Sequence, residues 1–144
     1  MSIRTTLPGR DEAHGRFTIL VADDDAACRR TVTGLLDREG HRVLQADCGR
    51  RAIEIARIEA LHLLILDMYM RDLSGLATLR LIDQVRNPLP PTIFLTADKS
   101  KELQLEALDA GAFTIILKPF EAEVVKISVQ MLLERYYRNP DRRE

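Results

Sequence analysis

Five short apolar runs alternate with longer segments of helical periodicity along this chain. Short apolar runs bounded by turn residues predict buried strands, and strands that alternate with helical segments predict parallel strands joined by crossover helices. Because such crossovers are right-handed almost without exception, the pattern predicts an α/β fold of (βα)5 type, a doubly wound, five-stranded parallel sheet with helices on both faces. The predicted strands are Thr18–Ala22, Arg42–Ala46, Leu63–Asp67, Thr92–Thr96 and Thr114–Leu117.

The segments between the strands predict the helices. Asp25 is expected to cap the first helix and Gly40 to end it, because aspartate favours the N-cap and glycine the position after a helix. Ser100 and Gly111 are expected to bound the fourth helix in the same way. The other helices are predicted around residues 52–56, 76–85 and 121–137, and a single domain over 17–137 between polar, loosely ordered tails at 1–16 and 138–144.

The composition argues against several classes of function. With 22 acidic and 21 basic residues, the chain has a formal net charge of −1 and lacks the basic footprint of a nucleic-acid binder. It contains neither an apolar run of about eighteen residues nor a secretory signal, which predicts a cytoplasmic protein that makes no membrane contact. Cys28 and Cys48 lack the spacing of a metal or redox motif and are expected to be reduced structural thiols.

Polar residues stand at the ends of four predicted strands. Asp23 and Asp24 follow the first strand, Asp67 and Thr96 end the third and fourth, and Lys118 follows the fifth. In an open parallel sheet the ligand crevice lies outside the carboxyl ends of the strands, so these side chains are expected to share one pocket. Each alone has an ordinary explanation as a helix cap, a turn residue or a strand residue, and the prediction depends on their convergence.

Neighbouring carboxylates repel one another, so a pocket that contains several of them requires a cation. Mg²⁺ fits best, because it prefers oxygen ligands and is usually bound through one or two carboxylates together with phosphate oxygens. A phosphoryl group is then expected beside the ion, with one carboxylate as the nucleophile and Thr96 and Lys118 in contact with the other phosphoryl oxygens. The implied covalent state is an aspartyl phosphate.

These residues resemble a known family, the receiver domains of two-component response regulators, which have a flavodoxin- or CheY-like fold. The resemblance covers nearly everything from Phe17 to Arg135. Its motifs are the acidic cluster at 19–25, Leu66-Asp67-Met68 followed by Gly75, Thr96-Ala97, Gly111-Ala112 and Lys118-Pro119-Phe120.

The resemblance implies a phosphoacceptor regulatory domain rather than an enzyme, phosphorylated by a sensor histidine kinase or a histidine phosphotransfer protein. Asp67 would accept the phosphoryl group, and Thr96 would be the switch hydroxyl. Lys118 would pair with the phosphoryl group or with Asp67, and its peptide bond to Pro119 is often cis in the family. The implied metal ligands are Asp24, Asp67, the main-chain carbonyl of Tyr69 and, largely through water, Asp23.

Some positions depart from the family pattern or tune its chemistry. Arg71 stands where the family usually has a proline, which alters the shape and charge of that loop. Tyr69 and Asp98 occupy positions that tune dephosphorylation: Tyr69 would screen the phosphoryl group from water, and Asp98 would orient a water or repel the phosphoryl group. Ile115 replaces the usual aromatic switch residue, so coupling to the output surface is expected to use the packing of Ile115 or Phe113.

The last helix carries two apolar rows. Val124, Ile127 and Met131 form one row, which is either an interface or the edge of one wide buried face. A downstream protein partner is expected to bind the last strand and the last two helices, and a homodimer is a second option. No output domain follows residue 137, so the chain is interpreted as a stand-alone or excised receiver. The inward row is predicted to contain Val125, Val129, Leu132, Leu133 and Tyr136.

Two alternative functions are kept open. A haloacid-dehalogenase-like phosphatase also uses aspartate, Mg²⁺, a hydroxyl residue and a lysine, but its nucleophile would be Asp23, and its first motif needs threonine or valine in place of Ala27. A degenerate receiver would bind partners without phosphorylation if Tyr69 or Arg71 blocked the pocket.

Overall fold

The structure is a computed structural model that describes residues 17–138, and it contains one five-stranded parallel sheet. The strands are β1 (Thr18–Ala22), β2 (Arg42–Ala46), β3 (Leu63–Asp67), β4 (Thr92–Thr96) and β5 (Thr114–Leu117). The α-helices are α1 (Ala26–Arg38), α2 (Gly49–Ile58), α3 (Gly75–Val85), α4 (Lys101–Asp109) and α5 (Ala122–Leu133). Neighbouring strands pair in parallel in the order β2-β1-β3-β4-β5, which confirms the predicted doubly wound fold. The tails predicted at 1–16 and after Arg138 lie outside the described residues.

The sheet separates two apolar clusters, because successive side chains of a strand point to opposite faces. Leu64 and Phe94 belong to one cluster, together with side chains from α2, α3 and α4. Ile65 and Ile93 belong to the other, which α1 and α5 cover. Every residue of β3 and β4 is buried, whereas the edge strands β2 and β5 are partly exposed. Within the described part of the chain, no helix is long and apolar enough to cross a membrane.

The predicted helix boundaries agree with the observed capping interactions. The Asp25 side chain accepts hydrogen bonds from the N–H groups at the start of α1, and the Ser100 side chain accepts one from Leu103 in α4. Gly40 and Gly111 follow α1 and α4 with φ values of 92° and 108°, a left-handed conformation that favours glycine.

The C-terminal helix differs from the prediction in its last turn. The α-helix ends at Leu133 and continues as a π-helical turn over Glu134–Arg138. Because a π-turn contains more residues than an α-turn, the residue that faces the core in this turn lies one position later in the sequence. Tyr137 therefore points inward and donates a hydrogen bond to the carbonyl of His62 over 2.7 Å. Tyr136 is exposed, and its prediction as a core residue is wrong.

Candidate functional site

The strand register brings the polar residues at the strand ends to one edge of the sheet, as the sequence predicts. Ala22 of β1 pairs with Leu66 of β3, so Asp23 and Asp67 follow side by side. Carboxylate oxygens of Asp23, Asp24 and Asp67 all lie within 4.8 Å of one another. Lys118, which follows β5, donates from Nζ to Asp23 Oδ2 and to Asp67 Oδ1, each over 3.2 Å. The three carboxylates and the ammonium group therefore form one pocket.

Asp23 is completely buried and is held from several sides. Its Oδ1 accepts a hydrogen bond from the Asp25 N–H over 2.9 Å, and the Cys28 thiol donates another. Burial alone would raise the pKa of Asp23, but these hydrogen bonds and the charge of Lys118 keep the pKa below its usual range. Burial and the neighbouring Asp23 raise the pKa of Cys28 to about 12, so the thiol stays protonated as a donor. The position of Cys28 in the sequence did not indicate this hydrogen bond to Asp23.

Asp67 lies at the end of β3, and only 7% of its surface is exposed. Burial, followed by the negative charge of Asp23, raises the pKa of Asp67 to about 6, against the opposing effect of Lys118. The loop behind it is close-packed: a Cβ added to Gly75 would collide with the Asp67 carbonyl oxygen and the Phe94 ring. This contact explains the glycine eight residues after the aspartate.

The donor set of the pocket fits a hard divalent cation. The three acidic side chains offer carboxylate oxygens, the donor type that Mg²⁺ prefers. When ionised, three carboxylates face a single ammonium group, so negative charge remains for a cation to neutralise. The electrostatics and the ligand chemistry therefore both suit Mg²⁺.

Thr96 is not part of the carboxylate cluster but of a hydrogen-bonded bridge beside it. Its hydroxyl oxygen accepts from the Asp98 N–H over 3.1 Å. The Asp98 carboxylate in turn accepts from the Tyr69 hydroxyl over 2.6 Å and from the Ser100 N–H over 2.9 Å. The Tyr69 bond raises the pKa of Tyr69 and lowers that of Asp98. This bridge joins the loops after β3 and β4, and the sequence did not reveal it.

Arg71 and Asp72 anchor the loop after β3. The Arg71 N–H donates to Asp24 Oδ2 over 2.9 Å, and the guanidinium Nη2 lies 3.5 Å from Asp47 Oδ2. The Asp72 carboxylate accepts from the N–H groups of Gly49 and Arg50 at the start of α2, over 2.8 and 2.9 Å. Although burial opposes it, these backbone donors lower the pKa of Asp72 to about 2. The role of Asp72 could not be predicted from the sequence, because a residue that caps a helix from a distant loop leaves no local pattern.

The last strand borders a cavity at the surface. Ile115 is half-buried and pairs in register with Phe94 of β4. It lines a cavity of about 360 Å³ between α4 and β5, together with Phe113, Leu117 and neighbouring side chains. The peptide bond between Lys118 and Pro119 is cis, as the family resemblance implied.

Curated relatives match most of the chain. The family model for "Response regulator receiver domain" covers residues 19–130, well over half of the sequence. Transcriptional regulatory protein ZraR of Escherichia coli (strain K12) is 33% identical over 120 residues, which cover 83% of this chain and 27% of that protein. Probable transcriptional regulatory protein TcrX of Mycobacterium tuberculosis is 34% identical, with coverage of 82% and 50%. The chain thus spans half or less of the length of these two relatives.

Solved structures share the same fold. Chemotaxis protein CheY4 of Vibrio cholerae superposes with a TM-score of 0.78 at 27% identity, over 82% of this chain and 99% of that chain. The receiver domain of NtrX from Brucella abortus gives a TM-score of 0.75 at 31% identity, over 81% and 98%. With the family model, the pocket and the fold in agreement, the chain belongs to the response regulator receiver domains, a family of phosphoacceptor regulatory domains.

Proposed function

We propose that this protein accepts a phosphoryl group on Asp67 from a sensor histidine kinase or a histidine phosphotransfer protein, in a reaction that requires Mg²⁺. The observation that carries the proposal is the contact of Asp67 with Lys118 inside a cluster of three carboxylates. Receiver domains typically take their phosphoryl group from histidine kinases and bind Mg²⁺ at such an acidic pocket. The proposed domain spans residues 17–137, and the outcome of phosphorylation is a change in partner binding.

The metal would be held by the carboxylates and one carbonyl. When bound, Mg²⁺ would neutralise negative charge on the pocket and on the incoming phosphoryl oxygens. Its proposed ligands are Asp24, Asp67, the main-chain carbonyl of Tyr69 and, largely through water, Asp23.

The transfer step uses the ionised form of Asp67. A pKa of about 6 leaves this carboxylate largely ionised at neutral pH. One carboxylate oxygen attacks phosphorus and forms an O–P bond, while the bond between phosphorus and the donor's imidazole nitrogen breaks and its electron pair stays on that nitrogen. The Lys118 ammonium, already 3.2 Å from Asp67 Oδ1, then neutralises charge on the transferred group.

Thr96 is proposed to report the phosphoryl group. Its oxygen accepts from the Asp98 N–H, so its own proton remains available to a phosphoryl oxygen. Movement of Thr96 toward the pocket would displace the loop after β4, which the hydrogen bond between Tyr69 and Asp98 holds in place. The new contact favours one arrangement of this loop over the other, which is a population shift. Ile115, beside the cavity under α4, would pass the change to the surface.

The partner is proposed to bind the output surface, defined as the exposed apolar side chains of α4, β5 and α5. A downstream protein or a second copy of the chain would each cover this apolar area. The row formed by Val124, Ile127 and Met131 is exposed, which favours its interpretation as an interface. The output surface contains Leu105, Leu108, Leu117, Val124, Ile127 and Met131.

The geometry favours this function over the two alternatives. Asp23, the nucleophile that a phosphatase would need, is fully buried, and both of its carboxylate oxygens accept hydrogen bonds, Oδ1 from the Asp25 N–H and Oδ2 from Lys118. The polar end of Tyr69 bonds to Asp98, and the guanidinium of Arg71 pairs with Asp47, so each is engaged away from the Asp67 carboxylate.

Incubation with acetyl phosphate and Mg²⁺, followed by intact-mass measurement, tests the proposal. Wild type and Asp23→Asn are to be compared with Asp67→Asn. We expect the wild type to gain one phosphoryl group and Asp67→Asn to gain none. Phosphoester turnover that is lost in Asp23→Asn but survives in Asp67→Asn would instead support a phosphatase, and labelling of no variant would support a degenerate receiver.

A further inference from the structure

Asp24 differs from the other two carboxylates of the pocket in how it is held. Asp23 and Asp67 are buried and contact Lys118, whereas Asp24 is partly exposed. The hydrogen bond that restrains its side chain comes from the main chain of Arg71, 47 residues away in sequence, over 2.9 Å. The position of this carboxylate therefore depends on the loop after β3.

That loop is itself fixed from the opposite side. The Asp72 carboxylate receives two backbone N–H groups from the start of α2 and the N–H of Leu73 over 2.7 Å. The pair between Arg71 and Asp47 is exposed, and such surface pairs contribute little. The main chain at residue 71 is thus held chiefly by Asp72, and it presents its N–H to Asp24.

We infer that Arg71 is a positioning residue for the metal, and that it acts through its main-chain N–H rather than its guanidinium. The N–H engages Oδ2 of Asp24 and leaves the other carboxylate oxygen for the ion. Proline has no N–H and cannot make this bond, so the departure from the family pattern at this position gives the chain an extra restraint. This inference rests on the proposed Mg²⁺-dependent function.

The size of the effect follows from the role of groups that orient metal ligands. Removing such a group typically weakens metal binding by about 10- to 100-fold. Because Asp24 is partly exposed and is one of several ligands, we expect the lower end of that range. Removing the guanidinium alone should change the affinity by less than about twofold, since water screens an exposed charge.

Calorimetric titration of the whole chain with Mg²⁺ separates the two parts of Arg71. Arg71→Ala keeps the N–H and removes the guanidinium, whereas Arg71→Pro removes both. The expected dissociation constant is nearly unchanged in Arg71→Ala and about tenfold higher in Arg71→Pro. Equal constants for the two variants would overturn the inference and leave the proposed function intact. A wild type that binds no Mg²⁺ would overturn both.

Amide hydrogen exchange tests the same contact without altering the loop backbone. The Arg71 amide should exchange at least about tenfold faster in Asp24→Ala than in wild type, because its acceptor is gone. Asp25→Ala, which removes the neighbouring helix cap, is the matched control and should leave this amide unchanged. Unchanged exchange in Asp24→Ala would overturn the inference. Faster exchange of the wild-type amide on addition of Mg²⁺ would also overturn it, since the metal would then displace the bond.

Discussion

The pocket and the output surface belong to one domain but are built in opposite ways. In the pocket, Asp23 and Asp67 are buried and bonded to Lys118, and neighbouring loops supply further donors. On the output surface, apolar side chains such as Met131, 58% exposed, project from helices whose other face is already packed. Substitution in the pocket therefore disturbs charge balance and folding, whereas side chains of the output surface can be replaced at little cost to the fold.

Replacing Lys118 should show the cost of disturbing the pocket most strongly. Lys118→Ala leaves two buried carboxylates without their counter-charge, and breaking a buried pair in this way costs about 3–5 kcal/mol. Because the Lys118 side chain is 22% exposed, we expect a loss of about 2–3 kcal/mol in the free energy of unfolding without Mg²⁺. Urea denaturation near neutral pH measures it.

Lys126 provides the matched control. Its contacts with Glu39 and Glu123 lie on the surface, so Lys126→Ala should change the free energy of unfolding by less than about 0.5 kcal/mol. Equal losses in the two variants would mean that Lys118 does not balance charge in the pocket.

Asp67→Asn should stabilise the chain at neutral and higher pH when no divalent ion is present. In the folded state the pKa of Asp67 is about 6, above its ordinary value of 3.8, because of burial and the charge of Asp23. The bound proton stabilises the folded chain below pH 3.8, and this contribution is lost as the pH rises through about 6. Allowing for screening by water, we expect the free energy of unfolding of Asp67→Asn to exceed that of wild type by about 1–2 kcal/mol once the pH is above the pKa of Asp67.

Urea unfolding as a function of pH measures this advantage. The difference in free energy of unfolding between Asp67→Asn and wild type should be small near about pH 4 and should increase as the pH rises toward neutrality. Mg²⁺ should reduce it by stabilising the wild type, by about 1.4 kcal/mol at ten times the dissociation constant. A difference that does not vary with pH would rule out titration of Asp67 as its cause.

Much of this comparison was accessible from the sequence, because it depends on strand ends and on periodicity. The runs before Asp23, Asp67 and Lys118 identified the strands, and the right-handed connections brought their ends together. The bridge from Tyr69 to Asp98 and the bond from Arg71 to Asp24 were not accessible. They depend on the conformation of irregular loops, for which hydrophobic periodicity carries no information.

The last turn of the C-terminal helix shows a different limit. A strict α-helical period predicted Tyr136 on the inner face, and the π-turn at Glu134–Arg138 moves that role to Tyr137. An inserted residue shifts every later position on a helix, so a small change in hydrogen bonding reverses a prediction based on spacing.

Tyr69→Phe should have a modest effect, and we expect it on the rate of phosphorylation rather than on stability. The substitution removes the hydroxyl that binds Asp98 but keeps the aromatic ring. Tyr69 is 56% exposed. Because this hydrogen bond lies at the exposed surface, where water competes for both partners, we expect its loss to change the rate by only about threefold. We expect phosphorylation by acetyl phosphate to be faster by that factor, because Thr96 and its loop move more easily. Tyr136→Phe is the control, and equal or slower phosphorylation in Tyr69→Phe would contradict the bridge.

The output surface should tolerate substitution with the smallest effect on folding. Met131→Lys should change the free energy of unfolding by less than about 0.5 kcal/mol, as surface substitutions usually do. Its neighbour Leu132 is only 1% exposed, and Leu132→Ala should cost about 3 kcal/mol. Urea denaturation compares the two. A large loss in Met131→Lys would show that this row is needed by the fold and is not free for a partner.

The location of the phosphoryl group tests the central claim most directly. The chain is treated with acetyl phosphate and Mg²⁺ and then with borohydride, which reduces an aspartyl phosphate to homoserine, and peptides are sequenced by tandem mass spectrometry. Homoserine at position 67 is the expected result. Homoserine at position 23 or 24, or none at any aspartate, would contradict the assignment of Asp67 as the phosphoacceptor.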